Sequence, residues 1–86
     1  MSDQCVAAIE KFRRLVIEER QQQREKWGPQ HHTDTEWLAI LGEEFGEACT
    51  AACDRWIKDI PVTALLRELV QIAAVAEAAY ADLTNE

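Results

Sequence analysis

The chain has 86 residues with only three glycines and two prolines, so few turns interrupt it and a single all-α domain of long helices is predicted. The formal net charge of −7 provides no basic surface for displacing counterions, which argues against nucleic-acid binding. No apolar run approaches the roughly 18 residues of a membrane span and no signal-peptide pattern is present, so we expect a cytoplasmic protein without a membrane partner.

The first predicted helix runs from about Asp3 to Glu25. Its first half carries an apolar stripe at helical spacing, formed by Cys5, Ile9, Phe12 and Val16. Beyond Ile17 the segment "EERQQQREK" is polar all round. Such a pattern is typical of a solvated helix end, and the alternative is that this polar half lines a ligand cavity.

A break separates this helix from the second one. Gly28 and Pro29 predict a turn. Thr33, with Glu36 three residues later, matches a capping box, so the second helix should begin at about residue 33 or 34. We expect it to run to about Trp56.

The third predicted helix has Pro61 in its first turn and continues to about Leu83. It is apolar over most of its circumference, which predicts burial on several sides. Three helices with such a third member do not easily close a core alone, so a homodimer or homotetramer is expected. One acid, Glu68, falls by angle inside the apolar stripe, where a carboxylate is usually paired or bound to a metal. Its neighbours on this stripe are Ile72, Val75 and Ala79.

Glu43, Glu44 and Glu47 lie beside the main apolar arc of the second helix, but not on a clean polar face, because Ile40 and Trp37 are interleaved with them. Taken alone, such a group is more often a solvated acidic patch. If the third helix returns antiparallel, however, Glu68 faces these acids across the bundle. Carboxylates that converge from facing helices hold divalent cations, and oxygen ligands suit Mg²⁺ or Mn²⁺. The apolar arc comprises Leu38, Leu41, Phe45, Cys49, Ala52 and Trp56.

The cysteines are Cys5, Cys49 and Cys53. Their odd number and the absence of Cys-x-x-Cys spacing argue against a disulfide framework and a zinc site. They are predicted to be reduced core residues, because free cysteine is usually buried.

The stretches "EEFGE" and "ELVQIAAVAEA" together resemble the EExxE and ExxD pattern of the MazG-like all-α nucleoside triphosphate pyrophosphohydrolases. "KWGPQHH" and "WLAILGEEFGEA" are similar to short single-domain members of phage and bacterial genomes. The resemblance implies one MazG-like helical domain over residues 1–86. Its three long helices would be completed by homo-oligomerisation into a four-helix-bundle-like active site.

The resemblance also implies a set of site residues. Glu44, Glu47 and Glu68 match the acids that bind Mg²⁺, with Mn²⁺ as an alternative cation. Gln71 stands at the fourth metal position, where the family pattern has aspartate, and its amide carries no charge. The implied reaction is hydrolysis of an NTP or dNTP to the monophosphate and pyrophosphate. Glu43 or Glu47 would orient or deprotonate the attacking water.

Five further residues are candidates for binding the nucleotide. Trp27 would stack on the base, while Gln23 and Gln30 would contact base or sugar edges. Lys26 and Lys58 would neutralise phosphates. The alternative is that Trp27 anchors the loop and the lysines are solvated. Two other functions remain open: a non-catalytic homologue that binds a nucleotide or partner through a decayed site, and a structural bundle with solvated acids.

Overall fold

The computed structural model describes residues 2–85, which fold into three α-helices: α1 (Asp3–Trp27), α2 (Asp34–Lys58) and α3 (Thr63–Thr84). Residues 2–85 contain no strand. The prediction of an all-α chain with three long helices is therefore confirmed.

The helix ends follow from local chemistry. The Ser2 hydroxyl accepts from the Cys5 N–H at 3.2 Å and caps α1, and Gly28 ends that helix with a φ of 68° that favours glycine. The predicted capping box of α2 is present, because Thr33 and Glu36 each bond the other's backbone N–H through their side chains. The left-handed residue Asp59, at a φ of 54°, ends α2.

The start of α3 differs from the prediction. Val62 is its N-cap and the Val62 carbonyl accepts from the Leu66 N–H at 3.0 Å, so the helical ladder begins there. Pro61 consequently lies just before the cap and not in the first turn. Proline is tolerated at this position because its missing N–H is not needed by the ladder.

Helix α3 is the central element of the chain. Within residues 2–85, α1 and α2 each pack against α3 but not against each other. Ala74 of α3 is completely buried, and Val75 is 6% exposed. The space between α1 and α2 therefore opens onto α3, which forms its floor.

The buried core is smaller than the apolar stripes predicted. Of the α1 stripe only Val16 is buried, while Ile9 and Phe12 are exposed. Helix α2 turns Trp37 and Ala48 towards α3. Its predicted apolar arc lies on another face, and the large side chains there that remain exposed in the single chain are Leu38, Phe45 and Trp56.

The cysteines are free, but the prediction that they belong to the core is wrong for the single chain. Cys5, Cys49 and Cys53 are all exposed. The physical reason is that Cys5 lies near the start of α1, far from the part of its stripe that is buried at Val16, and that Cys49 lies on the apolar face of α2 that α3 does not cover. On α3, the large side chains of Leu66, Leu69 and Tyr80 are also exposed. None of the helices in the described part of the chain combines the length and apolarity that a bilayer span requires.

Candidate metal centre

Three acids from two helices converge at the interface of α2 and α3. Each of Glu44, Glu47 and Glu68 offers a carboxylate oxygen, and these oxygens all lie within 4.8 Å of one another. The spacing of three residues puts Glu44 and Glu47 on one face of α2. Packing of that face against α3 adds Glu68, which lies on the stripe that contains Val75. We call Glu44, Glu47 and Glu68 the acid cluster.

Glu68 is only partly buried, but one of its carboxylate oxygens is shielded from solvent. Its side chain is half-buried, and its Oε2 atom is buried with no hydrogen-bond partner. Burial, followed by repulsion from the Glu47 carboxylate, raises the pKa of Glu68 above its usual value. Arg67 opposes this rise in pKa only weakly. A buried acceptor of this kind is destabilising until a proton or a cation satisfies it.

Glu44 is also held in an unfavourable environment. Burial is the main cause that raises the pKa of Glu44, and the carboxylates of Glu47, Glu68, Glu43 and Glu19 add to it in that order. The ion pairs found among residues 2–85 use other acids, namely Glu77, Asp82 and Asp54. The acid cluster thus has hard oxygen donors and excess negative charge, which is the donor chemistry that Mg²⁺ and Mn²⁺ require.

A cavity of about 250 Å³ lies directly beside the acid cluster and has Glu44 in its wall. Helices α1 and α2 form its sides, α3 its floor, and the α1–α2 connection its end. Helix α1 contributes Gln23 and Trp27, and the connection contributes Gln30 and His32. The remaining lining residues are Trp37, Ile40, Gln71, Val75 and Ala78.

The cavity therefore brings together several residues that the sequence singles out for separate roles. Gln23, Trp27 and Gln30 face the same space as Glu44 and Gln71. Gln71 is half-buried at the cavity and stands outside the acid cluster, one turn beyond Glu68 on α3. Within the polar half of α1, Gln23 lines this cavity, while most of the other residues of that segment are exposed to solvent.

Three other candidates lie outside this arrangement. Glu43 is exposed and does not belong to the acid cluster. The Lys26 ammonium lies 4.7 Å from the ring centroid of its neighbour Trp27, in a cation–π contact. Lys58 pairs with Asp54 at 3.6 Å near the end of α2. It is fourteen residues beyond Glu44, or about 21 Å along the helix axis, so the chain does not bring it to its own acid cluster.

One group near the cavity has no counterpart among the predicted site residues. The carboxylate of Asp82, near the end of α3, accepts from the Trp37 indole N–H at 2.7 Å and from the His32 backbone N–H at 2.9 Å. Its other oxygen lies 2.9 Å from Nδ1 of His31, which must carry the proton because the carboxylate can only accept. These bonds, led by that from His32, lower the pKa of Asp82 to about 2.

The sequence does contain a signal for Asp82. It lies fourteen residues after Glu68, and at 100° per residue the two fall within about 40° of each other on α3. Asp82 is therefore, like Glu68, an acid that falls by angle within the apolar stripe of α3. Its partners carry no such signal, because Trp37 is apolar in pattern and His32 contributes a backbone group.

Comparisons with protein-family models, with curated proteins and with solved structures found no match. The resemblance in the two acidic stretches therefore stays a prediction. Function is therefore inferred from the acid cluster, from the buried Oε2 of Glu68 that has no hydrogen-bond partner, and from the cavity beside them.

Proposed function

We propose that this protein is a Mg²⁺-dependent nucleoside triphosphate pyrophosphohydrolase, which converts an NTP or dNTP to the monophosphate and pyrophosphate. The observation that carries the proposal is the convergence of Glu44, Glu47 and Glu68, with Oε2 of Glu68 buried and unpaired, beside a cavity. This is also the activity that the MazG-like resemblance implies.

The acid cluster would hold the metal, and the side-chain oxygen of Gln71 is a neutral donor close by. Without a cation, the cluster would repel a triphosphate, because both are strongly negative. Bound Mg²⁺ would offset this charge and polarise the phosphoryl oxygens. Gln71 contributes no charge, so fewer charges than in the EExxE and ExxD pattern are available to hold cations.

Hydrolysis requires a water molecule that is positioned and deprotonated beside the triphosphate. Glu47 is the more exposed member of the acid cluster on α2, and Glu43 lies one turn before it. Either carboxylate would accept the proton as the water oxygen bonds to the α-phosphorus. The bond from this phosphorus to the bridging oxygen then breaks, and pyrophosphate leaves. No nucleophilic side chain takes part, so catalysis rests on positioning and charge neutralisation.

The nucleoside would occupy the cavity beside the acid cluster. The Trp27 side chain is accessible, with the residue 57% exposed, and offers an aromatic face to a base. Lys26 lies over its ring, and a base would stack on the face that Lys26 leaves open. The amides of Gln23 and Gln30 supply donors and acceptors for the base or sugar.

The active form would be a homodimer or homotetramer. Leu38, Phe45 and Trp56 are 67%, 63% and 87% exposed on one face of α2. A soluble monomer rarely carries so large an apolar patch without a partner. A second copy of the chain would bury this face and complete the bundle around the acid cluster.

The decisive experiment is a panel of ribo- and deoxynucleoside triphosphates incubated with Mg²⁺ and assayed for pyrophosphate. Release from at least one nucleotide, abolished by EDTA and by Glu68→Gln, is the expected result. Binding of Mg²⁺ and nucleotide without pyrophosphate release would instead favour the non-catalytic homologue, in which Gln71 marks a decayed site. Absence of Mg²⁺ binding would leave only the structural bundle.

A further inference from the structure

Asp82 joins the three parts of the chain that surround the end of the cavity. Its Oδ2 atom accepts from Trp37, in the first turns of α2, and from the His32 backbone in the α1–α2 connection. Its Oδ1 atom lies 2.9 Å from the ring of His31. Asp82 itself belongs to α3. A single carboxylate therefore fixes the end of α3, the connection and the start of α2 to one another.

The groups that Asp82 holds are part of the cavity wall, but Asp82 is not. His32 and Trp37 line the cavity beside Glu44, and Gln30 lies two residues before His32. The rings of His32 and Trp37 also meet edge to face, with centroids 4.8 Å apart. Trp37 is only 2% exposed, so its position is well defined. Asp82 thus bonds two residues of the cavity wall without lining the cavity itself.

We propose that Asp82 is a positioning residue for nucleotide binding, which holds His32, Trp37 and the connection that carries Gln30 in the arrangement that accepts the nucleoside. This inference rests on the proposed function, because it assigns the cavity to the nucleoside. It separates two properties of the site. Asp82 lies fourteen residues from Glu68, or about 21 Å along α3. Its loss should therefore weaken binding of the nucleoside in the cavity and leave Mg²⁺ binding at the acid cluster unchanged.

The test uses Asp82→Asn in the full chain. The amide retains one acceptor oxygen, but its NH₂ group cannot accept from a donor N–H, so at least one bond is lost. Asp59→Asn is the matched control, because it makes the same change at an exposed left-handed residue that asparagine tolerates. Trp37→Phe is a second variant that keeps an aromatic ring but removes the indole donor together with part of the buried ring system.

Three measurements decide the outcome: Mg²⁺ affinity without nucleotide, affinity for a non-hydrolysable triphosphate analogue with Mg²⁺, and hydrogen exchange of the His32 amide. For Asp82→Asn we expect analogue affinity to fall about tenfold or more. Mg²⁺ affinity should stay within about twofold of wild type, the scale of a change that touches no ligand. The His32 amide should exchange faster. Trp37→Phe should weaken analogue binding in the same direction, and Asp59→Asn should match wild type.

The proposal is overturned if Asp82→Asn binds the analogue as wild type does, or if His32 exchange is unchanged. A parallel loss of Mg²⁺ and analogue affinity would also overturn it, since that pattern indicates general unfolding. Failure of the proposed reaction can be distinguished from failure of the role of Asp82. If wild type releases no pyrophosphate, the reaction fails, while the affinities of wild type and Asp82→Asn for the analogue still test the role of Asp82. A wild type that binds no analogue would overturn both.

Discussion

Glu44 on α2 and Glu68 on α3 bring carboxylate oxygens within 4.8 Å of each other across a helix interface, and both acids have raised pKa values. Packing of α2 on α3 compels this approach, since the two helices share a buried seam that includes Ala48 and Ala74. Repulsion between carboxylates this close lowers the stability of the fold, and a bound cation or proton would reduce that repulsion. The predictions on metal binding and pH follow from this relationship.

Replacing Glu68 by glutamine should have opposite effects on stability and on metal binding. Without metal at pH 7, Glu68→Gln removes one repelling charge, and the free energy of unfolding should rise by at most about 1 kcal/mol because water screens the site. Saturating Mg²⁺ should stabilise wild type by about 2–3 kcal/mol at a hundredfold excess over Kd, and the variant far less. Thermal unfolding with EDTA and with Mg²⁺ measures both effects.

Glu10→Gln is the matched control for this experiment, because Glu10 is an exposed glutamate on α1 and lies outside the acid cluster. It should respond to Mg²⁺ as wild type does. An unchanged Mg²⁺ response in Glu68→Gln would show that Glu68 is not a metal ligand.

The stability of the metal-free protein should pass through a maximum in mild acid. The raised pKa values of Glu44 and Glu68 mean that the folded state binds protons more readily than the unfolded chain does. Protonation of these two acids therefore stabilises the fold, and this stabilisation is lost as the pH rises above about 4.5. The pKa of Asp82 is lowered from 3.8 to about 2, so its contribution is complete above that range and lost as the pH falls through it.

Urea unfolding from pH 2 to 8 with EDTA measures this profile. Glu44→Gln should flatten the decline above pH 4.5, since it removes a group whose pKa rises from that value on folding. Asp82→Asn should flatten the decline on the acid side. Stability that increases steadily from pH 4 to 8 in metal-free wild type would contradict the raised pKa values of the acid cluster.

Adding a fourth acid beside the acid cluster should strengthen the proposed metal site. Gln71→Asp adds a charge at the cavity, one turn beyond Glu68, with a side chain one methylene shorter. We expect tighter binding of divalent cations and faster pyrophosphate release, measured as the dependence of the rate on Mg²⁺ concentration. Gln71→Glu is a control for side-chain length. If neither variant alters the Mg²⁺ dependence, Gln71 does not adjoin the metal.

The exposed apolar face of α2 should be an interface between copies of the chain. We expect a homo-oligomer that buries more than about 1,000 Å², and Trp56→Glu should convert it to a monomer in light scattering at micromolar concentration. Thr50→Glu is the control, because Thr50 is exposed and lies about 120° around the helix from Trp56. Alkylation of Cys49 should be slow in wild type and fast in Trp56→Glu. A monomeric wild type would refute the interface.

The positions of the helices could be predicted from sequence because local chemistry determines them. Thr33 and Glu36 form the expected capping box, and Gly28 ends α1 two residues later than predicted. The angular position of Glu68 likewise indicated a carboxylate in a buried setting, and its Oε2 atom is buried. In each case neighbours within a few residues along one helix suffice for the argument.

The arrangement between helices was harder to predict, because it depends on contacts far apart in sequence. The apolar arc of α2 indicated a core face, whereas α2 presents Trp37 and Ala48 to α3 and leaves Phe45 exposed. A helix with apolar residues on two sides has two candidate buried faces, and one chain covers only one of them. The bonds of Asp82 to Trp37 and His32 span 45 and 50 residues, beyond the reach of any local pattern.

Because α1 and α2, within residues 2–85, pack on α3 and not on each other, the order of the helices affects how the protein folds during synthesis. Synthesis delivers α1 and α2 before α3, the helix on which both of them pack in the described part of the chain. Until α3 emerges, the faces of α1 and α2 that pack on it stay uncovered in the nascent chain, a state that favours aggregation or chaperone binding. Translation through the α3 codons allows both packing interactions to form, so tertiary folding should begin only when α3 has emerged.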